Sequence, residues 1–161
     1  PQDYKEAVKW YRLSAEQGDA FAQVKLGYFY TVGQGVPQDK KEAVRLYRLS
    51  AEQGNAKAQN NLGQMYRQGT GVPKDYKEAV KWYRLSVKQG NADAQYNLGV
   101  MYFKGTGVLQ DYALAHMWFN LSGSNGSKGG VKNRDIIEKR MTPSQIEKAQ
   151  EMARNWKPTK K

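Results

Sequence analysis

Residues 1–36 read PQDYKEAVKWYRLSAEQGDAFAQVKLGYFYTVGQGV, and residues 37–72 read PQDKKEAVRLYRLSAEQGNAKAQNNLGQMYRQGTGV, a match at 24 of 36 positions. Residues 73–108 follow the same template. The step recurs in Asp3, Asp39, Asp75 and Asp111, in Ala7, Ala43, Ala79 and Ala115, and in Gly18, Gly54, Gly90 and Gly126. A fixed period of this size marks a repeat architecture and outranks any element-by-element reading. A fourth unit opens at Leu109 with DYALAHMWFNLS and leaves the template after Ser122, in SGSNGSKGG, which reads as a Gly/Ser loop ahead of residues 131–141.

Within each unit the apolar residues recur at helical spacing: Ala7, Val8, Tyr11 and Ala15 in one segment, Ala22, Leu26 and Tyr30 in the next. Each unit is therefore expected to be two helices. The four Asp sit where a short side-chain oxygen can accept from the free N–H groups of a first helical turn. Gly18, Gly54 and Gly90 end the first helix, and Asp19, Asn55 and Asn91 cap the second. The second helix stops at GQGVP, GTGVP and GTGVL, with Pro37 and Pro73 restarting the chain. A helix pair this short cannot cover its own apolar stripe, so units stack on their neighbours as an all-α solenoid. Gly27, Gly63 and Gly99 each follow a stripe Leu in mid-helix, at a cost of about 1 kcal/mol against Ala. Their recurrence points to a helix crossing too close for a Cβ. Thr142-Pro143 with Gln145 three residues on is a capping-box start for a last helix ending near Trp156.

Composition removes several function classes. Among 161 residues there is no Cys, which excludes disulfides, thiolate nucleophiles and thiolate metal sites. The single His excludes a multi-histidine metal site and leaves His116 as the one conceivable base of a Ser-His-Asp arrangement. His116 takes the place of Val8, Val44 and Val80, which reads as a half-buried substitution rather than a catalytic group. The Gly-x-Gly loops follow a helix, without the strand-to-helix setting or the Lys-Ser/Thr of a phosphate cradle. No apolar run approaches the roughly 20 residues that span a bilayer. No catalytic residue, cofactor site or metal site is assigned.

The pattern Ala22-Leu26-Gly27-Tyr30-Gly33-Gly35-Val36-Asp39-Ala43 and its repetitions resemble the Sel1-like repeat, itself similar to the tetratricopeptide repeat. The resemblance covers residues 1–122, and the remainder resembles the helical end of bacterial members. It implies a right-handed α-solenoid with repeats at residues 1–36, 37–72 and 73–108, a divergent fourth repeat at 109–141, a capping helix at 142–156 and a flexible basic tail at 157–161. Opening at Pro1 inside a linking loop, the chain reads as a piece of a longer array. The resemblance further implies a non-enzymatic adaptor binding a protein or peptide in a concave groove lined by the second helices, with a periplasmic or secreted setting favoured. Compartment, oligomeric state and the partner's identity are not legible.

Two surfaces are candidates for binding. By spacing, the groove-facing positions are Phe21, Val24, Tyr28 and Thr31, then Lys57, Asn60, Gln64 and Arg67, then Asp93, Tyr96, Val100 and Phe103. These vary between units while scaffold positions repeat, and exposed aromatics are favoured at interaction sites. On the first helices, Lys5, Lys9 and Arg12, Lys41, Arg45 and Arg48, and Lys77, Lys81 and Arg84 form a basic stripe in a chain of net charge +11. The stripe and the Lys157, Lys160, Lys161 tail would serve a rival reading, docking to nucleic acid or an anionic envelope polymer. Pairing of Glu6, Glu42 and Glu78 with the cations three residues on, and the absence of a nucleic-acid-binding fingerprint, argue that this face is merely solvated. An inhibitor or immunity-type binder of one folded target is a third reading. Trp10, Trp82 and Trp118 share one repeat position with Leu46, as do Tyr11, Tyr47, Tyr83 and Phe119 the next, and both series are expected to be inter-repeat core.

Overall fold

The computed structural model describes residues 3–159, and these are all-helical. The element order is α1 (Tyr4–Glu16), α2 (Ala20–Val32), α3 (Lys40–Glu52), α4 (Ala56–Gln68), α5 (Tyr76–Lys88), α6 (Ala92–Lys104), α7 (Tyr112–Ser124), α8 (Lys128–Glu138) and α9 (Pro143–Asn155). The chain forms two compact units, Pro1–Ala79 and Val80–Lys161, whose boundary falls inside α5.

The punctuation read from the sequence sets these boundaries. Asp3, Asp39, Asp75 and Asp111 accept backbone N–H groups of the following first turn, and Asp19, Asn55 and Asn91 do the same for α2, α4 and α6. Each cap of this kind contributes about 1 kcal/mol. Gly33, Gly69 and Gly105 end α2, α4 and α6 in the left-handed conformation, which a Cβ would penalise. Thr142 and Gln145 close the expected capping box at the start of α9.

In the N-terminal unit, α1 packs on α2, α2 on α3 and α3 on α4. Its core joins Val8, Ala15, Ala22, Leu26, Phe29 and Leu46. A Cβ at Gly27 would lie 2.8 Å from the Tyr47 ring, so the mid-helix glycine is the contact that lets α3 close on α2. In the C-terminal unit α7 is the hub, packing on α6, α8 and α9, and Gly99 meets the Phe119 ring in the same way, at 2.7 Å.

A buried polar ladder runs beneath the apolar contacts. Ser50 Oγ donates to the Ala20 carbonyl at 2.7 Å and Ser122 Oγ to that of Ala92 at 2.8 Å. Gln53 Nε2 donates to Gln23 Oε1 and Asn125 Nδ2 to Gln95 Oε1, while Gln23 and Gln59 reach back to the Ala15 and Ala51 carbonyls. Ser50, Ser122, Gln23, Gln59 and Gln95 are buried, and Gln53 and Asn125 reach them from exposed positions, so these rungs give desolvated polar atoms of the core partners.

Four expectations are corrected. Trp10 is 60% exposed, whereas Leu46, Trp82 and Trp118 at its repeat position are buried. Leu46 is covered by Leu26 and Phe29 of the preceding helix, and no described residue supplies that cover for Trp10, whose Nε1–H donates to Glu6 instead. Gly129 and Gly130 are not loop but the first turn of α8. A Cβ on Gly130 would stand 2.8 Å from the Phe119 carbonyl and 2.7 Å from the Gly123 nitrogen, so the pair lets α8 cross α7 closely. His116 is fully buried rather than half-buried, its Nε2–H donating to Glu138 Oε1 at 2.7 Å, a partner 22 residues away. The tail is held at least to Thr159, whose N–H donates to the Lys88 carbonyl at 2.7 Å. Lys160 and Lys161 lie outside the described residues.

Candidate functional site

Helix α2 packs on α1 and α3 at once, which buries Ala22, Gln23, Val24, Leu26, Gly27 and Phe29, well over half its circumference. What remains outside is the row Phe21, Lys25, Tyr28 and Val32, at i, i+4, i+7 and i+11. Phe21, Tyr28 and Val32 are 59%, 50% and 44% exposed, three large apolar side chains on one helical face. Lys25 stands 5.3 Å from the centre of the Phe21 ring. The equivalent row of α4 is Lys57, Asn61, Gln64 and Gln68, wholly polar.

Between these rows lies a cleft of about 550 Å³, contained in the N-terminal unit. Tyr28 and Thr31 form the α2 wall, and Lys57, Asn61, Gln64, Met65 and Gln68 the α4 wall; Lys40 and Tyr47 of α3 and the loop residues Gln38 and Thr70 complete it. Thr31 Oγ1 donates to the Gly27 carbonyl, so its lone pairs receive the Tyr47 hydroxyl at 3.3 Å. Burial holds the Tyr47 phenol above its ordinary pKa, with the hydrogen bonds to Thr31 and Asn61 acting the other way. The lining carries two lysines and no carboxylate.

The twelve sequence-derived groove positions thus divide. Phe21, Tyr28, Lys57, Gln64 and Asp93 lie wholly or partly open, while Thr31 and Arg67 stand at the margin. Val24 and Asn60 are buried and belong to the packed arc, so the exposed row passes through Lys25 and Asn61 instead. The error is one residue in register: a stripe at i+3 is equally helical, and only the second packing partner of α2 decides for i+4. In the C-terminal unit Tyr96, Val100 and Phe103 are partly buried against packed neighbours. The Tyr96 ring lies 5.8 Å from Phe119 and its hydroxyl accepts from Asn133 of α8; Phe103 stacks on Tyr112 at 5.8 Å beneath the Arg140 guanidinium, and Val100 packs on the same core.

The basic stripe is engaged in structure. Arg12, Arg48 and Arg84 donate to the hydroxyls of Tyr30, Tyr66 and Tyr102 at 3.0, 2.6 and 3.0 Å, clasping the two helices of each repeat. Glu42 receives Arg45 through two bonds and holds its guanidinium above the usual range. Glu6 takes Trp10 rather than Lys9. Lys5, Lys41 and Lys77 remain exposed at the helix starts. Among the described residues no cluster of three or more His, Cys, Asp or Glu side chains that could hold a metal is assembled, and no helix is long and apolar enough to cross a membrane.

Helix pairs repeated at a fixed period define a helical-repeat protein of the α-solenoid class. The Sel1 repeat model matches residues 1–19, 20–55, 56–91 and 92–127, and the chain belongs to the Sel1 repeat family. Solved structures agree. A Sel1 repeat protein from Oxalobacter formigenes is 31% identical with a TM-score of 0.80, over 98% of this chain and 67% of that one. A protective antigen of uropathogenic Escherichia coli with the same repeat fold is 33% identical with a TM-score of 0.70, over 91% of this chain and 39% of that one. The chain thus spans well under half of the antigen's length. Cysteine-rich protein B of Helicobacter pylori shares the fold at 23% identity and a TM-score of 0.63, over 81% of this chain and 93% of that one. No curated protein matches the chain. Sel1 repeat proteins generally mediate protein–protein interaction and are typically non-enzymatic.

Proposed function

We propose that this chain is a non-enzymatic protein-binding module whose recognition site is the cleft between the α2 and α4 rows, occupied by an extended segment of a partner protein. The observation that carries the reading is the exposed Tyr28 of α2, with Phe21 and Val32 on the same open face, set opposite the carboxamides Asn61, Gln64 and Gln68 of α4 across a cleft of about 550 Å³. A cleft of that size accepts a short stretch of chain. Extended peptides present unpaired main-chain N–H and C=O groups, and Asn and Gln side chains both donate and accept, so they can serve either. The aromatics supply area at low entropic cost. Polar docking through the stripe is disfavoured by the three Arg–Tyr clasps and the Glu42–Arg45 pair, which already occupy four of its nine cations.

The test is site-specific photocrosslinking in cells of the source organism, with the reactive group at Gln64 in one protein and at Lys41 on the stripe in another. A discrete protein adduct at position 64 that survives a high-salt wash and vanishes on Tyr28→Ala supports the reading. Adducts formed only at position 41, carrying nucleic acid or acidic polymer and lost at high salt, overturn it.

A further inference from the structure

The two walls of the cleft differ in chemistry, and the difference specifies a ligand. On α2 the wall is Tyr28 and Thr31, on an open row that continues to Phe21, Lys25 and Val32; on α4 it is carboxamide with a lysine at the head, Lys57. Lys40 enters the lining from the start of α3. Its lining contains no acidic side chain to neutralise these two ammonium groups, in a chain of net charge +11. Resting on the assignment of this cleft as the recognition site, we infer that its ligand is an extended segment in which apolar residues alternate with acidic ones. In an extended chain successive side chains point to opposite sides, about 3.3 Å apart along the axis. One set then lies on Tyr28, and beyond the cleft on the exposed Phe21 and Val32 of the same row, while the other turns its carboxylates toward Lys57 and Lys40. The main chain between them runs along Asn61, Gln64 and Gln68. Recognition of alternate side chains in pockets with main-chain hydrogen bonds along one wall is a physically economical way to read an extended peptide.

Complementary charge also acts before contact. A cationic cleft raises the local concentration of acidic segments and disfavours basic ones, an effect that salt weakens. The alternation matters as much as the sign. A uniformly acidic segment would leave the aromatic row wet, and a uniformly apolar one would leave two ammonium groups facing hydrocarbon.

The experiment uses the full chain and three capped peptides of about seven residues, about 23 Å when extended, that share alternating Leu and carry Glu, Gln or Lys between. Affinity is read by fluorescence anisotropy, and position by the side-chain amide signals of Asn61, Gln64 and Gln68 in nitrogen-15 spectra. Each partly exposed ion pair is worth about twofold to fivefold in affinity, so the Glu peptide is expected to bind roughly tenfold tighter than the Lys peptide. Lys57→Glu inverts the order, and Tyr28→Ala weakens all three; both positions are on the surface, and circular dichroism checks the fold. Equal binding of the three peptides, still lost on Tyr28→Ala, overturns the acidic preference and leaves the cleft as the site. Failure of all three while a cellular partner crosslinks through Gln64 overturns the alternating acidic ligand alone. Failure of all three while the partner crosslinks only outside the cleft overturns both.

Discussion

The second helices of the two units carry the same template and do different work. On α2, Phe21 and Tyr28 stand in solvent; on α6, the aromatics at Tyr96 and Phe103 are roofed by α7, α8 and Arg140. The α6 rings occupy the repeat positions of Val24 and Thr31, while those of Phe21 and Tyr28 fall to Asp93 and Val100, so the aromatic set shifts between the units and its exposure shifts with it. The elements that follow differ too: α4 leaves a cleft beside α2, whereas the glycine pair of α8 allows a close approach that uses Tyr96 as packing surface, Gly129 lying where an added Cβ would sit 3.0 Å from its ring. Aromatic side chains on a variable row are binding candidates in one unit and core in the other.

The largest effects are expected where this contrast is built into packing. Phe119→Ala removes the ring on which Gly99 and Tyr96 both rest and is expected to cost about 3–5 kcal/mol in urea unfolding. Gly130→Ala sets a methyl against backbone that cannot swing away and should cost about 1–3 kcal/mol. Tyr96→Ala and Tyr28→Ala then form a matched pair. The first is expected to lower the unfolding midpoint with no direct loss of a ligand contact; the second should leave stability within about 0.5 kcal/mol while weakening partner binding at least about tenfold. If the two tyrosines behave alike in both measurements, the distinction between the units fails.

A smaller effect should appear with pH. The neutral Tyr47 phenol is favoured in the folded state, so its folded pKa is raised above that of the unfolded chain. Its contribution is fully present below about pH 10, the ordinary phenol value, and is lost as pH climbs through the folded pKa. Unfolding followed from neutral to strongly alkaline pH should show a decline that Tyr47→Phe makes shallower, and absorbance titration at the phenolate band should show one late-titrating tyrosine fewer in that variant.

The repeat period, the cap residues and the mid-helix glycines were legible because each is a local signal multiplied by repetition: one Asp before a helix is weak, four at the same register are not. The open row of α2 was legible only in part. Phe21 and Tyr28 follow from the spacing of the apolar stripe, but Lys25 depends on α2 being flanked by both α1 and α3, and Asn61 on the burial of Asn60 beside it, which periodicity within one helix does not encode. The pairing of His116 with Glu138 joins a repeat to its divergent neighbour and has no periodic counterpart to betray it. Ser50, Ser122 and Gln23 did carry a signal: small polar residues held at a fixed place among apolar ones, which satisfied buried hydrogen bonds explain.

That polar ladder also governs how such a chain can change length. Its rungs join residues 30 apart, Ser50 to Ala20 and Ser122 to Ala92, and each donor stands on a particular side of its helix. Excising a whole period returns every donor to an acceptor of the same kind, whereas losing one residue fewer rotates the downstream donors by about 100° and strands them. Growth and shrinkage of this sequence are thereby quantised: recombination between its similar segments yields folded descendants in steps of one complete unit, and intermediate lengths are disfavoured by the cost of unpaired buried hydroxyls.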